Sequence, residues 1–267
     1  MTQTLPDSPL LTRPAPAPAS RSARAVGTVL VTGAASGLGR AVAAAVTAAG
    51  GRPLLVDRVP VGGRDDGADP DGSPAAAPPR DADSAVVDLA DTAAAEEAVR
   101  ALIARAGGVD AVVTAAGTDR CGALGDVPAA EWERVVAVNL FGTAAVIRAA
   151  LPALKESRGT IVTVASTLGL RALPDATAYC ASKFGVVGMT RALATELAGQ
   201  VGVTLLVPGG MATAFFDGRP DQYKPGPDAR LNDPADVADA VVFALTRPHG
   251  CELREMVVCE STEPSWP

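Results

Sequence analysis

The chain has 267 residues, of which 48% are hydrophobic and 20% are charged. These proportions are typical of globular proteins and exclude wholesale disorder and collagen-like repeats. The formal net charge of −7 at pH 7 would repel a polyphosphate backbone, so we expect no nucleic-acid partner.

Histidine and cysteine usage narrows the chemistry that the chain can perform. His249 is the only histidine, which argues against a Ser-His-Asp triad and a His-rich zinc site, and we expect no metal. The four cysteines lack a C-x-x-C spacing and are too few for a disulfide framework, which fits a reducing cytoplasm.

Arg40 or Arg148 interrupts the longest apolar runs before the ~18 residues that a membrane span requires. We therefore expect a soluble protein with no membrane partner.

Residues 1–25 are rich in proline and lack an apolar signal core, which predicts a disordered leader. From residue 26 onward, short β-branched runs alternate with alanine-rich helical patterns, as in βαβ units. The sequence predicts one α/β domain over 26–267, a doubly wound Rossmann-like fold around a parallel sheet of about seven strands. The predicted strands are 26–31, 53–57, 84–88, 109–114, 160–165, 203–207 and 254–259. The predicted helices are 38–49, 92–106, 129–154, 176–197 and 234–246.

Two irregular segments interrupt this alternation. Residues 58–83 contain Gly62-Gly63 and Pro78-Pro79, which predicts a loop in place of the helix that should join the second and third strands. Residues 209–233 follow the sixth strand, and we expect them to form a substrate loop.

A glycine-rich turn joins the first predicted strand to the first predicted helix. It reads Thr32-Gly-Ala-Ala-Ser-Gly-Leu-Gly39, and its glycines permit a tight turn and close approach of a ligand. The free N–H groups and positive end of the helix attract a pyrophosphate. The turn therefore predicts a dinucleotide site, with contacts from Gly33, Ser36, Gly37, Leu38 and Gly39.

Asp57 ends the second predicted strand, 24 residues after Gly33. This separation is close to the ~20 residues expected for the acid that binds an adenosine ribose. Its carboxylate can accept bonds from both ribose hydroxyls and would repel a 2′-phosphate, which favours NAD over NADP. Arg58 favours the opposite choice, because its guanidinium could receive that phosphate.

Tyr179-Cys-Ala-Ser-Lys183 falls in a helical pattern, where the four-residue spacing places the phenol and the ammonium on one face. At a separation of about 5 Å, the ammonium is expected to lower the pKa of the phenol by around two units. Tyr179 would then act as an acid or base near neutral pH. Ser166 follows the fifth strand, at the sheet edge where ligands bind, and can hydrogen-bond the reacting oxygen.

These motifs, together with Asn139, occur in the order of the short-chain dehydrogenase/reductase family, which the chain resembles from residue 26 to about residue 259. The resemblance implies that Tyr179 exchanges the proton of a substrate hydroxyl and that Ser166 orients that oxygen. It also implies that Lys183 holds the nicotinamide ribose and that Asn139 positions a water leading protons from Lys183 to solvent. These four residues are the predicted catalytic set.

The resemblance also implies further cofactor contacts. Asp88-Leu89 is similar to the family's adenine contact, and the stretch from Pro208 to Thr213 is similar to its P-G-x-x-x-T motif, in which Thr213 would contact the nicotinamide carboxamide. The remaining implied contacts are Ala116, Gly117, Gly209 and Met211.

The chain departs from the family pattern in three places. Thr114-Ala-Ala-Gly117 stands where many members have N-N-A-G, so we expect a cofactor or sheet contact to change. The helix-free segment 58–83 removes part of the adenine-side wall. The C-terminus lacks the frequent V-D-G-G ending, so we expect subunit contacts there to differ.

The substrate pocket is predicted between residues 168–177 and 210–223, above the carboxyl ends of the strands. The aromatic residues after Thr213 favour a substrate lid, and Arg171 and Arg219 are the only arginines there, in loops where arginines are usually solvated. We expect a largely apolar pocket for a mid-sized ring or chain alcohol. The predicted substrate contacts are Ser166, Leu168, Leu173, Tyr179, Gly210, Phe215 and Phe216.

Together these features predict an NAD(P)-dependent oxidoreductase, NAD favoured, that interconverts a secondary alcohol and a ketone by hydride transfer. Two alternatives stay open: a redox epimerase using the same site, and a non-catalytic protein that senses a dinucleotide. The resemblance also implies a homodimer or homotetramer built on the helices near residues 144–154 and 176–197.

Overall fold

A computed structural model describes residues 22–61 and 83–266 of the chain. Most of the predicted leader, and most of the predicted loop over 58–83, lie outside the described residues.

The alternating β-branched and alanine-rich segments form seven strands and six α-helices within the described residues. The predicted elements are confirmed, although the third predicted helix is divided in two. The strands are β1 (Thr28–Thr32), β2 (Arg52–Asp57), β3 (Ser84–Val86), β4 (Ala111–Thr114), β5 (Thr160–Val164), β6 (Gly202–Pro208) and β7 (Glu255–Val258). The helices are α1 (Gly37–Ala48), α2 (Thr92–Ala106), α3 (Ala129–Val136), α4 (Thr143–Ser157), α5 (Thr177–Glu196) and α6 (Pro234–Leu245).

The strands form one parallel sheet in the order β3-β2-β1-β4-β5-β6-β7. This order confirms the predicted doubly wound, Rossmann-like fold. The strand order reverses between β1 and β4, and in such sheets ligands bind in the crevice at the carboxyl ends of the strands at this point. The glycine-rich turn follows β1 and therefore lies at that crevice.

Alternate side chains of each central strand enter two separate hydrophobic layers. Leu30 of β1 packs on the face covered by α2, α4 and α5, and its neighbours Val29 and Val31 pack on the face covered by α1 and α6. Both layers are sealed from solvent, which explains why the strands are apolar along their whole length.

A π-helical turn, Ala137–Gly142, joins α3 to α4. The sequence predicts a single α-helix here, but the extra residue in this turn shifts the side chains of α3 relative to those of α4. Asn139 lies in the π-helical turn and is fully buried. The interruption thus occurs at a predicted catalytic residue, as π-helical turns often do at functional sites.

The helical run over 129–157 is the one stretch of the described residues long and apolar enough, by length and composition alone, to cross a membrane. The sequence-based expectation treats Arg148 as an interruption of this run. Half of its apolar window is buried inside the fold, where Val146 and Ala150 pack in the same layer as α2. This packing is typical of a helix that covers a sheet.

Candidate active site

The glycine-rich turn brings the backbones of β1, β4 and α1 close together. Gly33 has a φ of 69°, in the left-handed region that favours glycine, and a Cβ added there would lie 2.8 Å from the Cα of Ala116. A Cβ at Gly39 would overlap the carbonyl oxygen of Gly33. Side chains at either position would therefore push these elements apart.

Helix α1 begins beside this turn with no side chain capping its first N–H groups. Ser36 is the N-cap residue, but its hydroxyl makes no capping hydrogen bond, and the first turn, which starts at Gly37 and Leu38, holds no acidic residue. The positive end of the helix therefore lies at the carboxyl edge of the sheet, where it would stabilise an anion such as pyrophosphate.

Asp57, at the end of β2, holds the glycine-rich turn in place. Its Oδ2 accepts a hydrogen bond from the Ala35 N–H at 2.9 Å, and its Oδ1 accepts one from the Val59 N–H at 3.2 Å. The neighbouring Arg58 is exposed. The structure thus adds an anchoring role for Asp57 to the ribose contact that the sequence predicts.

Asp88 and Leu89 follow the edge strand β3, next to β2. Asp88 accepts a hydrogen bond from the Ala90 N–H at 3.0 Å and lies 2.7 Å from the Arg134 guanidinium. The Ala90 bond, followed by the Arg134 bond and charge, holds the pKa of Asp88 below its usual range. Leu89 is buried and lies directly against Gly142 of the π-helical turn.

The residues after β4 connect the glycine-rich turn to the catalytic side chains. The Ala116 N–H donates to the Thr32 Oγ1 at 3.1 Å. A Cβ added at Gly117 would lie 3.6 Å from the Asn139 Oδ1 and 3.7 Å from the Lys183 Nζ. At the departure from the family pattern, the buried Thr114 Oγ1 has no hydrogen-bond partner among the described residues, so it does not replace an asparagine amide.

Ser166, Tyr179 and Lys183 meet at the carboxyl end of β5. The Ser166 Oγ accepts a hydrogen bond from the Leu168 N–H at 3.1 Å, and its hydroxyl lies close enough to the Tyr179 hydroxyl to affect the pKa of the tyrosine. Tyr179 and Lys183 lie one turn apart in α5, with the Lys183 Nζ 5.6 Å from the centre of the tyrosine ring. The structure therefore brings the three side chains together as the spacing predicts.

The predicted lowering of the Tyr179 pKa is wrong for this structure. Burial raises the pKa of Tyr179 to about 12, although the hydrogen bond from Ser166 acts in the opposite direction. Burial also lowers the pKa of Lys183 to about 8, and the Lys183 Nζ donates to the Val164 carbonyl at 2.9 Å. Burial penalises the charged form of each group, so both neutral forms are favoured.

Asn139 ties the loop after β4 to α5. Its Oδ1 accepts a hydrogen bond from the Thr118 N–H at 2.8 Å, and its Nδ2 donates to the Thr118 carbonyl at 2.9 Å and to the Ser182 Oγ at 3.0 Å. Its carbonyl accepts from the Thr143 Oγ1 at 2.8 Å. The side chain of Asn139 thus connects Thr118 to Ser182, the residue before Lys183, and the water that the resemblance implies stays a prediction.

Hydrogen bonds hold the start of the segment after β6, and a bridge joins its start to its end. The Gly209 N–H donates to the Val258 carbonyl at 2.9 Å, and the Gly210 N–H donates to the Glu263 carboxylate at 2.9 Å. Thr213 then reaches the glycine-rich turn, because a Cβ added at Gly37 would lie 3.4 Å from its side chain. The next residue after Gly210, Met211, pairs with Asn232 across an isolated bridge.

The aromatic residues after Thr213 lie next to Tyr179. The ring centres of Phe215 and Tyr179 are 5.8 Å apart, and Phe216 meets Phe215 edge to face at 5.6 Å. The loop therefore contacts Tyr179 through Phe215, and its role as a lid stays a prediction. Leu168 is half-buried, and Leu173 is exposed.

Arg219 is not solvated, contrary to the sequence-based expectation. Its guanidinium lies 2.7 Å from the Asp119 carboxylate, and the two side chains are 17% and 6% exposed, respectively. The same guanidinium lies 4.9 Å from the centre of the Phe215 ring and 4.6 Å from that of Phe216. A buried ion pair therefore joins the lid to the loop after β4.

The sequence motifs did not predict four residues that lie near the site: Asp119, Arg219, Glu263 and Ser265. Glu263 holds Gly210, and the Ser265 Oγ donates to the Thr167 Oγ1 at 2.7 Å, beside Ser166. The unusual C-terminal sequence, which lacks the V-D-G-G ending, was the one signal that pointed to Glu263 and Ser265. Asp119 and Arg219 are 100 positions apart, so no local pattern could connect them.

The residues present fit a nicotinamide dinucleotide. The uncapped start of α1 suits its phosphates, Asp57 lies where the adenosine ribose would follow, and Gly117 leaves open the space beside Lys183 that a side chain would fill. No group of three or more His, Cys, Asp or Glu residues in the described parts of the chain could hold a metal ion.

Comparisons with known proteins agree with this geometry. The short chain dehydrogenase family matches residues 27–224. The chain is 36% identical over 227 residues to D-threitol dehydrogenase of Mycolicibacterium smegmatis. The aligned region covers 80% of this chain and 84% of that protein. It is 31% identical over 221 residues to a 3-oxoacyl-acyl-carrier-protein reductase of Thermotoga maritima, which covers 80% and 88%, respectively.

A solved structure extends the similarity to three dimensions. A metagenomic short-chain oxidoreductase in complex with NADP has a TM-score of 0.70 and 25% sequence identity to this chain, covering 89% of this chain and 98% of its own. The matched fold, the family match and the serine, tyrosine and lysine meeting at one sheet edge lead to the same conclusion. This chain belongs to the short-chain dehydrogenase/reductase family of oxidoreductases.

Proposed function

We propose that the protein is an NAD-dependent oxidoreductase that interconverts a secondary alcohol and a ketone. The observation that carries this proposal is that Ser166, Tyr179 and Lys183 meet at the carboxyl end of β5, at the same sheet edge as the glycine-rich turn. A protein that only sensed a dinucleotide would need the glycine-rich turn and Asp57 but not this arrangement.

Each side chain has a separate task in the proposed reaction. When bound, the dinucleotide accepts or supplies the hydride. Ser166 holds the reacting oxygen of the substrate by its hydroxyl, and Tyr179 moves the proton at that oxygen. Lys183 would hold the nicotinamide ribose and, with a pKa of about 8, would exchange protons close to neutral pH. Asn139 holds Thr118 and Ser182, the residue before Lys183, by hydrogen bonds.

Asp57 supports NAD as the preferred cofactor. Its carboxylate lies at the end of β2, where its negative charge would repel the 2′-phosphate of NADP. The exposed Arg58 beside it could attract that phosphate, and its charge contributes to lowering the pKa of Asp88. We favour NAD because the two backbone hydrogen bonds fix Asp57 at the strand end, whereas Arg58 extends into solvent. The NADP in the metagenomic oxidoreductase is a property of that protein.

We also propose a homodimer or homotetramer assembled on α4 and α5, in a reducing cytoplasm. Phe141 in the π-helical turn and Phe184 in α5 are 56% and 46% exposed, which is unusual for large apolar side chains. A symmetric partner would bury them. The cysteines are all free, which suits a reducing compartment.

Tyr179→Phe tests the proposed reaction. It removes the hydroxyl that moves the proton and keeps the ring that packs against Phe215, so turnover should fall at least ~10²-fold while NAD binding stays within about twofold. Turnover is measured by nicotinamide absorbance over a panel of secondary alcohols, and binding by calorimetry. Accumulation of NADH distinguishes net oxidation from epimerisation. Wild-type rates in the variant would refute the assignment.

A further inference from the structure

The Asp119–Arg219 pair lies within reach of the catalytic groups on two sides. Asp119 follows Thr118, whose backbone is bonded to Asn139, and Arg219 stacks on Phe215, whose ring contacts Tyr179. The charges of Asp119 and Arg219 also act in opposite directions on the pKa of Tyr179. Neither residue has a role in the proposed proton or hydride transfer.

The carboxylate of Asp119 is already fully engaged. Its Oδ1 accepts a hydrogen bond from the Arg120 N–H at 2.7 Å, and its Oδ2 receives the Cys121 thiol at 3.3 Å and the Arg219 guanidinium at 2.7 Å. Because the carboxylate and the guanidinium neutralise each other, the pair presents no net charge to a substrate. An anionic substrate would lose its hydration there and would also face the Asp119 carboxylate.

Within the described residues, Arg219 has a buried N–H group without an acceptor. Its Nη2 lies on Asp119 and its Nη1 donates to the Tyr223 carbonyl at 3.4 Å, but its Nε is buried with no hydrogen-bond partner among the described residues. A buried N–H without an acceptor is unfavourable, and an uncharged oxygen would satisfy it. The orphaned donor belongs to the loop that contacts Tyr179 through Phe215.

We propose that the Asp119–Arg219 pair forms a charge-neutral polar side of the substrate site, in which Arg219 donates a hydrogen bond to a second, uncharged oxygen of the substrate. This inference rests on the proposed function and names its substrate class. The preferred substrates are neutral diols and hydroxyketones, rather than alcohols with a single oxygen or hydroxy acids. Phe215 and Phe216 contact the carbon skeleton between the two oxygens.

A matched series of compounds tests the proposal without any mutation. The series consists of a secondary alcohol, its vicinal diol and its hydroxy acid, in a four-carbon chain version (secondary butyl alcohol, vicinal butanediol, β-hydroxybutyrate) and a cyclohexane version. Each compound is assayed with the wild-type protein and with NAD or NADP. In whichever of the two series is turned over faster, we expect kcat/KM for the diol to exceed that for the alcohol and that for the hydroxy acid at least tenfold.

Two charge variants make the test specific to the pair. Arg219→Gln should reduce the preference for the diol over the single-oxygen alcohol at least fivefold, mainly through KM. Asp119→Asn leaves Arg219 with a net positive charge and should raise kcat/KM for the hydroxy acid relative to the diol at least fivefold. Arg230→Gln, an exposed arginine further along the chain, is the matched control and should preserve all ratios.

The outcomes separate the two proposals. Equal or better use of the single-oxygen alcohol or the hydroxy acid by the wild-type protein overturns the role of the pair and leaves the oxidoreductase intact. Turnover of no compound with either cofactor overturns the proposed function and this inference with it. If a single variant unfolds, as judged by circular dichroism, the double variant Asp119→Asn/Arg219→Gln, which is neutral, should show the loss of diol preference; retention of that preference overturns the proposal.

Discussion

Burial governs the ionisation of both Tyr179 and Lys183. The spacing in the sequence correctly places the ammonium about one helical turn from the phenol, at 5.6 Å from the ring centre. The ammonium charge alone would lower the Tyr179 pKa, but loss of hydration has the larger effect and raises the pKa to about 12. Desolvation outweighs attraction here, and desolvation depends on neighbours that the motif does not contain.

Lys183 should destabilise the fold below about pH 8. Its pKa falls from 10.5 to about 8 on folding, so between pH 8 and pH 10 the unfolded chain binds more protons than the folded one. The contribution of Lys183 to stability therefore rises with pH through this window. We expect Lys183→Met to stabilise the cofactor-free protein more at pH 7 than at pH 10, by a difference of about 2 kcal/mol.

Urea denaturation of both proteins at the two pH values measures this difference, and the titration of all other groups cancels between variant and wild type. Lys155→Met, at an exposed position in α4, is the control and should have the same effect at both pH values. If Lys183→Met also changed the stability equally at both pH values, the Lys183 ammonium would be as well hydrated in the folded protein as in the unfolded chain.

Asp57 should decide the cofactor through its charge. Asp57→Asn removes the charge but keeps an oxygen for the Ala35 N–H, so the ratio of kcat/KM with NAD to that with NADP should fall roughly tenfold or more. Asp57→Ala also releases the glycine-rich turn and should lower kcat/KM with both cofactors. A wild-type preference for NADP would show that Arg58 dominates instead.

At the scale of elements, the π-helical turn links the predicted catalytic set to the predicted adenine contact. It buries Asn139 on one side and presses Gly142 against Leu89 on the other. The sequence predicts Asn139 in the catalytic set and Leu89 at the cofactor site, with no link between the two residues. The helical periodicity did not predict the π-helical turn itself, because one extra residue in a long apolar pattern changes that periodicity very little.

Gly142→Ala should disturb both sides of this link. A Cβ there would lie 2.7 Å from the Leu89 Cβ and 2.8 Å from its carbonyl oxygen, so we expect a loss of about 1–3 kcal/mol in the free energy of unfolding. NAD affinity should also weaken, because Leu89 must move. Urea denaturation and calorimetry measure the two effects.

Gly226→Ala is the control for this prediction, since no atom lies within 4 Å of the Cβ position in that exposed loop. It should change stability by less than about 0.5 kcal/mol. Unchanged stability and affinity in Gly142→Ala would show that the π-helical turn and the loop after β3 adjust independently.

At the scale of the whole molecule, the proposed assembly depends on the exposed aromatic residues of the π-helical turn and α5. Phe184→Glu should place a charge in the centre of the proposed interface and convert the assembly to a monomer at micromolar concentration, as measured by light scattering. Val86→Glu is the control, because Val86 is 57% exposed but lies on the edge strand β3, away from α5. A monomeric wild-type protein, or an unchanged assembly in Phe184→Glu, would contradict the proposal.

The sequence by itself determined the doubly wound parallel sheet and the glycine-rich turn after its first strand. It also determined that Asp57 ends the second strand and that Ser166, Tyr179 and Lys183 lie close together. These features follow from short-range patterns: alternating periodicity sets the elements, and parallel strands bring their carboxyl ends to one edge. Only the tertiary structure decided the ion pair of Asp119 with Arg219. It likewise decided the fastening of Gly210 by Glu263 and the pKa values in the site. Pairing between distant residues and desolvation both depend on which parts of the chain pack together, and no local pattern records that packing.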